Sequence, residues 1–144
     1  AYVIIHSEVS SLDLHHGRGY IYSIQYHVVW CVKYRRKVLT PDIEMSLLEI
    51  LHNISRDNGF SILEANTDYD HVHLLIDCSP QNYIPDIMKA LKGVSARKLF
   101  KIHGDKIRRQ LWGGHLWNPS YFIATVSENT QQQIVEYIRR QKEK

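Results

Sequence analysis

Apolar and polar residues along the chain follow two different periods, which divide it into predicted strands and helices. Residues 20–32 (YIYSIQYHVVWCV) are rich in β-branched and aromatic side chains, so they predict one long strand. Residues 60–67 and 71–78 predict a second and a third strand joined by a short turn at positions 68–70, and residues 120–127 predict a fourth.

Two predicted helices lie between these strands. Thr40 is a suitable N-cap with Pro41 at the first helical position, and the pair Asn58-Gly59 predicts the end of the first helix. Pro85 opens the second helix. Apolar residues recur at helical spacing in both, at Ile43, Leu47, Leu51 and Ile54 in the first and at Ile84, Ile87, Met88, Leu91 and Leu99 in the second.

A third helix is predicted after the last strand. It begins near Thr130, where Gln133 three residues later completes a capping-box pattern. The order strand, helix, strand, strand, helix, strand and a final helix predicts an α+β fold, a ferredoxin-like βαββαβ antiparallel sheet with two helices on one face. The other face of the sheet then stays open for a site, a partner or a second subunit, and an extra C-terminal helix follows the last strand.

The whole chain, residues 1–144, is predicted to form a single domain. With 44% hydrophobic and 23% charged residues it should be ordered and should bury a sizeable core. Residues 1–19 are an N-terminal extension that includes the turn signal Gly17-Arg18-Gly19, residues 20–129 are the ferredoxin-like core, and residues 130–144 are the C-terminal helix.

Composition also indicates the cellular compartment in which the protein is expected. No stretch reaches the apolar length of a membrane span, and the first sixteen residues lack the pattern of a signal peptide. The two cysteines, Cys31 and Cys78, are too few and too far apart for a zinc cluster and are expected to be reduced. These features predict an intracellular protein without a membrane association.

The net charge is only +3, but the basic residues are clustered. Clustered positive charge is typical of proteins that bind a phosphate backbone, although a solvated basic face is an equally good interpretation of either group alone. The first group is Lys33, Arg35, Arg36 and Lys37, and the second is Lys89, Lys92, Arg97, Lys98, Lys101, Lys106, Arg108 and Arg109.

The predicted third strand carries the first candidate chemistry. Because a strand sends alternate side chains to opposite faces, His71 and His73 share the open face while Val72 shares the helix-covered face with its apolar neighbours. Two imidazoles about 7 Å apart on one face can bind a single metal ion. Considered alone, the pair is better explained by solvent-exposed or hydrogen-bonded histidines.

The final helix supplies further candidates. Ile134 and Ile138 form a core stripe at i, i+4, and Tyr137 and Gln141 form an adjacent one. If the core stripe packs on the open face, the phenol of Tyr137 could act as a nucleophile and the amide oxygen of Gln141 as a third metal ligand. An ordinary amphipathic-helix tyrosine and a solvated glutamine remain alternatives.

Five sequence blocks occur together in a characteristic order and spacing. They are YHVVWCVKYRRKVL (26–39), DHVHLLID (70–77), KALKGVSARKLF (89–100), LWNPSYFIATV (116–126) and EYIRRQ (136–141). Over residues 20–144 the chain resembles the small single-tyrosine HUH transposases of the insertion-sequence 200/605 group, whose His–hydrophobic–His motif is His71-Val72-His73 here.

The resemblance implies a metal-dependent enzyme that cleaves and rejoins single-stranded DNA at insertion-sequence ends through a 5′-phosphotyrosine intermediate. It implies that Tyr137 is the nucleophile, that His71, His73 and Gln141 bind Mg²⁺ or Mn²⁺, and that a homodimer recognises DNA hairpins in the prokaryotic cytoplasm. Basic residues in the matching blocks become candidate DNA contacts: Lys33, Arg35, Arg36, Lys37, Lys89, Lys92, Arg97 and Lys98.

Three alternative functions stay open at this point. Another HUH nuclease, such as a replication initiator, a relaxase or a domesticated repeat-associated transposase, would use the same residues on a different DNA. A non-catalytic ferredoxin-like nucleic-acid binder is less favoured, because no strand has the RNP1 pattern and such a binder needs no His71, His73 and Gln141 set. An inactive relative would keep the fold without the reaction.

Overall fold

The computed structural model describes residues 14–126 and 129–141. Strands in this part of the chain are β1 (His15–Gly17), β2 (Tyr20–Tyr22), β3 (Ile24–Cys31), β4 (Ser61–Asp68), β5 (His71–Cys78) and β6 (Phe122–Thr125). Helices are α1 (Pro41–Asp57), α2 (Ile84–Lys89), α3 (Ser95–Arg108) and α4 (Thr130–Arg140), with a π-helical turn (Ala90–Val94) between α2 and α3.

Four strands form one antiparallel sheet in the order β4-β5-β3-β6. The two central strands are thus the first and third of the βαββαβ core, which is the ferredoxin-like arrangement that the order of predicted elements indicated. The α+β prediction is confirmed. In the sheet, Val29 of β3 lies between His73 of β5 and Phe122 of β6, and Cys31 of β3 lies opposite His71.

Helices α1, α2 and α3 cover one face of the sheet. The core on this closed face contains Val28 and Trp30 of β3, Leu74 of β5, Leu47 of α1 and Leu99 of α3, all fully buried. The helical spacing of apolar residues in α1 gives it one continuous buried face, because side chains three and four residues apart lie on the same side. Thr40 and Asn58 flank α1 as the sequence predicted.

Helix α4 lies on the opposite face. Its buried Ile134 and Ile138 pack against Val29 and Cys31, so the core stripe of the final helix covers the open face. Burial of each isoleucine stabilises the packed state by about 1.5–3 kcal/mol. This contact is what brings the rest of α4 close to the strands that carry the histidines.

The predicted single strand over residues 20–32 is wrong. It is interrupted at Ser23, and its first part, β2, pairs with β1 in a separate two-stranded hairpin. Gly19 has φ +81, a conformation that glycine adopts without strain, and this closes the hairpin at the predicted turn. Part of the predicted extension is therefore ordered, while residues 1–13 lie outside the described residues.

Two other local predictions differ from the structure. The fourth strand is shorter than residues 120–127, since Ser120 and Tyr121 are not in the ladder and position 127 is outside the described range. The capping box is also wrong, because α4 has Asn129 as its N-cap and Thr130 Oγ1 instead donates to the carbonyl of Thr125 at 3.2 Å. Among the described residues, no helix is both long and apolar enough to cross a bilayer.

Candidate active site

His71 and His73 lie on the α4 side of β5, as strand alternation predicted. His71 is 4% exposed and His73 is fully buried. His73 Nε2 lies 3.0 Å from Nδ1 of His27, a buried residue of β3 on the same face, so the two rings form a hydrogen-bonded pair. Burial lowers the pKa of His27, which favours its neutral form. Sequence reasoning did not single out His27.

An acidic residue orients His71. Nδ1 of His71 donates to Oδ1 of Asp70 at 2.8 Å, which makes Nε2 the ring nitrogen that carries the lone pair. The other carboxylate oxygen of Asp70 accepts from Nε and Nη2 of Arg35 at 3.1 and 2.9 Å. Burial alone would raise the pKa of Asp70, but the hydrogen bond from His71 and the charge of Arg35 outweigh it, so its pKa lies below its usual value.

The segment that carries Arg35 is held in an unusual conformation. Tyr34 and Arg35 have φ values of 58 and 51, a left-handed region that costs non-glycine residues free energy. The backbone N–H of Val32 donates to the carbonyl of Asp70 at 2.8 Å, and Nη2 of Arg35 donates to the Asp70 carboxylate at 2.9 Å. Contacts with Asp70 therefore hold this strained turn beside His71.

A possible metal-binding cluster lies at this end of β5. Ligand atoms of Asp68, Asp70 and His71 all lie within 4.8 Å of one another. Two carboxylates and an imidazole are donors that suit Mn²⁺ and, through their oxygens, Mg²⁺, so the residues fit the metal that the family resemblance implies. The aspartates were missed as site candidates, although the sequence DYDHVH places both within three residues of His71.

Tyr137 and Gln141 meet at one hydroxyl group. Oγ of Ser120 lies 2.8 Å from the Tyr137 hydroxyl, 3.1 Å from Oε1 of Gln141 and 3.0 Å from Oδ1 of Asn118. A serine has one proton to donate, and both amide oxygens can only accept it. In the contact between Ser120 and Tyr137, either hydroxyl can be the donor. Ser120 was not a predicted site residue.

The phenol of Tyr137 is held in its protonated form. Burial raises its pKa to about 12, against the smaller opposing effect of the Ser120 hydrogen bond. Its ring lies 5.8 Å from that of Phe122 on β6, which fixes the ring against the sheet. In this environment the group needs either high pH or help from another base to become a nucleophile.

The two halves of the candidate site lie on different sides of α4. His71 lines a cavity of about 460 Å³ with Asp68 and Asp70, and the α4 residues in its wall are Val135 and Ile138. Tyr137 and Gln141 instead line a second cavity of about 690 Å³ that also contains Ser120 and Phe122. Since β3 separates β5 from β6, one side of α4 faces the histidine strand and the other side faces β6.

The first basic group lies beside the His71 cavity. Arg35 and Lys37 line that cavity, and Arg36 and Lys37 are exposed. Lys33 is half-buried, with Nζ 5.2 Å from the ring centre of Tyr34. Positive side chains at the mouth of a site with metal ligands can bind the phosphates of a DNA strand. Arg35 already donates two hydrogen bonds to Asp70, so its main effect is to fix the position of that carboxylate.

The second basic group is on the other side of the sheet. Lys89, Arg97 and Lys98 are exposed on the helix layer and can reach a separate stretch of phosphate backbone. Lys92 differs from them, because it is half-buried and donates to the backbone carbonyls of Asn118 and Ser120 at 2.7 and 2.8 Å. Because its ammonium group already donates to these two carbonyls, Lys92 is poorly placed for its predicted role as a DNA contact.

The match to known proteins extends over most of the chain. A family profile described as "Transposase IS200 like" matches residues 20–141. The chain belongs to the IS200-like transposase family. The resemblance to single-tyrosine transposases is confirmed, and as a family member the chain is a DNA-cleaving enzyme of a mobile element.

Individual transposases agree with this assignment. The chain is 49% identical to the ISDra2 transposase TnpA of Deinococcus radiodurans over 133 residues, which cover 92% of this chain and 94% of that protein. It is 30% identical to the transposase for insertion sequence element IS200 of Salmonella typhimurium over 122 residues, 85% of this chain and 79% of that one.

Solved structures of similar shape are also transposases. A crystal structure from Deinococcus radiodurans R1, described as a candidate transposase, has a TM-score of 0.83 and 45% identity and covers 88% of this chain and 97% of its own. A REP-associated tyrosine transposase bound to a REP hairpin has a TM-score of 0.53 at 14% identity, covering 89% of this chain and 74% of its own. The second likeness concerns the fold alone.

Proposed function

We propose that this IS200-like transposase cleaves and rejoins single-stranded DNA at the ends of its element, using Tyr137 as the nucleophile. Family membership supports the reaction class. The cavity in which His71 and Asp68 lie beside the basic Arg35 and Lys37 supports the metal and phosphate part of this assignment, because it combines metal donors with phosphate-binding groups. The choice of Tyr137 follows from the family resemblance. This cavity is the observation that carries the proposal.

The reaction is an exchange of phosphodiester bonds. The Tyr137 oxygen attacks a backbone phosphorus, the bond from phosphorus to the 3′ oxygen breaks, and the phenol's proton ends on that oxygen as a free 3′-hydroxyl. The Tyr137 oxygen is then bonded to the 5′-phosphate of the cleaved DNA strand. A 3′-hydroxyl from another cut end attacks the link and returns the proton to Tyr137. No nucleotide hydrolysis is needed, because the phosphotyrosine bond conserves the energy of the phosphodiester. The step is reversible, because the phenol is a better leaving group than an ordinary alkoxide.

His71, His73 and Gln141 are the proposed metal ligands, and Asp68 is a further candidate at the same end of β5. A bound Mg²⁺ or Mn²⁺ would neutralise charge on a non-bridging phosphate oxygen and orient the strand for attack. Asp70 accepts a hydrogen bond from Nδ1 of His71 and so leaves the Nε2 lone pair available to bind a metal. Carboxylates commonly orient metal-binding histidines in this way.

A homodimer with shared sites accounts for the division of the candidate residues. Tyr137 and Gln141 lie together on the β6 side of α4, away from the cavity that His71 lines. In a twofold dimer, α4 of one subunit can bring this pair to the His71 cavity of the other, which gives two equivalent composite sites. The proposed substrate is single-stranded DNA that folds into hairpins near the element ends.

The test is a covalent-adduct assay with labelled single-stranded hairpin DNA and Mn²⁺. We expect wild-type protein to form a protein–DNA band that resists denaturation, and Tyr137→Phe to form none while it binds the hairpin with nearly unchanged affinity. The substitution removes one hydroxyl and keeps the ring that packs on Phe122. An adduct formed by Tyr137→Phe would show that a different nucleophile operates.

Matched controls separate this proposal from its alternatives. Tyr83→Phe removes a hydroxyl from an exposed tyrosine near the start of α2 and should leave the adduct intact. Undiminished activity in EDTA would rule out the metal. A hairpin binder without catalysis would bind the DNA and never form the band, whereas a replication initiator or relaxase would form it only on another DNA sequence.

A further inference from the structure

Lys92 connects the helix layer to the segment before β6. It lies in the π-helical turn between α2 and α3, a widened turn that is frequent at functional sites. Its ammonium group reaches out of this layer to the segment 118–120, which connects to β6. A lysine is rarely buried without partners, and here two carbonyl oxygens, one on each side of Pro119, supply them.

The segment that Lys92 holds is the one that contacts Tyr137. Asn118 is 3% exposed, and its Oδ1 accepts from both the backbone N–H and the hydroxyl of Ser120 at 3.0 Å. The Ser120 hydroxyl in turn contacts the Tyr137 phenol and Gln141. The backbone of residues 118–120 thus connects the hydrogen bonds of the Lys92 ammonium to the hydrogen bond between Ser120 and the proposed nucleophile.

A second connection ties the same turn to this segment. Nε1 of Trp117 donates to Oγ of Ser95 at 3.0 Å, and that hydroxyl donates to the backbone carbonyl of Lys92 at 3.2 Å. Ser95 is fully buried and Trp117 is 7% exposed. The π-helical turn and residues 117–120 are therefore joined by hydrogen bonds at both Lys92 and Trp117.

We propose that Lys92 is a positioning residue for Tyr137, which fixes the backbone of residues 118–120 so that the Ser120 hydroxyl aligns Tyr137 and Gln141. The inference rests on the proposed function, because it gives Tyr137 its role as nucleophile. Lys92 acts through the segment and not by touching DNA. Loss of the ammonium group removes the donor that the carbonyls of Asn118 and Ser120 share, so the segment and the serine hydroxyl shift.

The position of Tyr137 can be measured without any DNA. Protein labelled with 3-fluorotyrosine gives ¹⁹F NMR signals for its tyrosines, and the Tyr137 signal is the one absent from Tyr137→Phe. We expect Lys92→Met and Ser120→Ala each to move or broaden this signal, together with that of Tyr121, whose ring centre lies 5.8 Å from Lys92 Nζ, and to leave the other tyrosine signals in place. Lys101→Met, which removes an exposed lysine of α3, should leave the Tyr137 signal unchanged.

The catalytic consequence is measured separately. At saturating hairpin DNA and Mn²⁺, Lys92→Met and Ser120→Ala should slow adduct formation by about tenfold to a hundredfold, since misplacing a reacting group costs this much. The DNA affinity should stay at the wild-type value. Because both residues act through one segment, the double variant should be little slower than the slower single variant.

The outcomes distinguish this inference from the proposed function. An unmoved Tyr137 signal in both variants, or a wild-type or faster rate despite a moved signal, overturns the positioning role and leaves Tyr137 as nucleophile. If Lys92→Met shifts every tyrosine signal because the fold is lost, Ser120→Ala decides, since it deletes one half-buried hydroxyl. If wild-type protein forms no adduct, the proposed function fails, while the NMR comparison still decides whether Lys92 positions Tyr137.

Discussion

At the scale of single residues, Asp70 joins two features that are separate in the sequence. One carboxylate oxygen accepts from His71 and the other from Arg35. The same side chain therefore sets the tautomer of a proposed metal ligand and holds the strained turn at Tyr34 and Arg35. With only 8% of Asp70 exposed, solvent cannot replace either partner easily.

We expect Asp70→Asn to weaken Mn²⁺ binding by about tenfold to a hundredfold, as is typical when the partner that orients a metal-binding histidine is lost. The neutral amide is a poorer acceptor for His71 and a poorer partner for the guanidinium of Arg35. Isothermal titration with Mn²⁺ measures the affinity. Asp86→Asn, which alters an exposed acid of α2, is the control, and equal affinities in both variants would contradict the orienting role.

The pKa of Tyr137 gives a prediction about pH. Because burial raises it to about 12, the stability that the protonated phenol contributes is complete below about pH 10, the unfolded value, and is lost as pH rises through 12. The phenolate fraction rises tenfold per pH unit below that range. We expect single-turnover adduct formation to rise steadily from pH 7 to pH 9.

The check is a series of single-turnover rates in Mn²⁺ over that range, with DNA affinity measured at each pH. A plateau near neutral pH would contradict the prediction. It would mean that the bound DNA or a neighbouring base lowers the barrier to losing the proton, so that the pKa of the free protein no longer governs the rate.

At the scale of secondary structure, α4 depends on two apolar side chains. Ile134 is fully buried against Val29 and Cys31, whereas Val135 is 40% exposed. We expect Ile134→Ala to lower the free energy of unfolding by about 2–5 kcal/mol and Val135→Ala to change it much less. Urea denaturation of both variants measures the difference.

Hydrogen exchange locates the effect. In Ile134→Ala the amides of α4 should exchange faster while those of β3 and β5 keep their protection, because α4 is the outermost layer on that face. Equal loss of protection throughout the sheet would mean that α4 is part of the cooperative core. The adduct assay should then fail for lack of a folded protein and not because Tyr137 is displaced.

The elements whose periods are clear were predictable from sequence. Residues 71–78 form β5 with the predicted bounds, and α1 begins at Pro41 and ends next to Asn58 as its capping residues indicate. Local preference failed where tertiary contacts decide. Ser23 does not look like a strand break, and the π-helical turn at 90–94 is fixed by packing and by the partners of Lys92.

The candidate site was predictable in part. Alternation places His71 and His73 on one face, and the stripe of Ile134 and Ile138 places α4 over that face. Neither pattern says on which side of α4 Tyr137 lies, since this depends on how the helix is rotated on the sheet. The partners His27 and Ser120 come from distant parts of the chain and leave no local signal.

At the scale of the whole molecule, the division of the candidate residues between two cavities leads to a complementation test. We expect His71→Ala/His73→Ala protein and Tyr137→Phe protein each to be inactive. Co-expression lets subunits exchange, and a mixed dimer with shared sites has one site with both defects and one intact site. Adduct formation should therefore reappear in the mixture.

Dimer formation in the mixture must be verified by affinity tags of two kinds. A mixed dimer that forms and stays inactive would mean that Tyr137 acts within its own subunit during cleavage. Such a result would require α4 to turn, because Tyr137 and His71 lie in different cavities of one chain. A third variant, Gln141→Ala, should behave like Tyr137→Phe in the mixture and should retain more activity by itself.

Helix α4 also has a consequence for dosage. If the sites are shared between subunits as proposed, a solitary subunit, with Tyr137 on one side of α4 and His71 on the other, has two incomplete half-sites and does not nick DNA. Where most copies are monomeric, the amount of dimer grows with the square of the protein concentration. Halving the expression then reduces the amount of dimer, and with it the rate of DNA cleavage, about fourfold. A weakly expressed element would therefore cleave its host's single-stranded DNA very rarely.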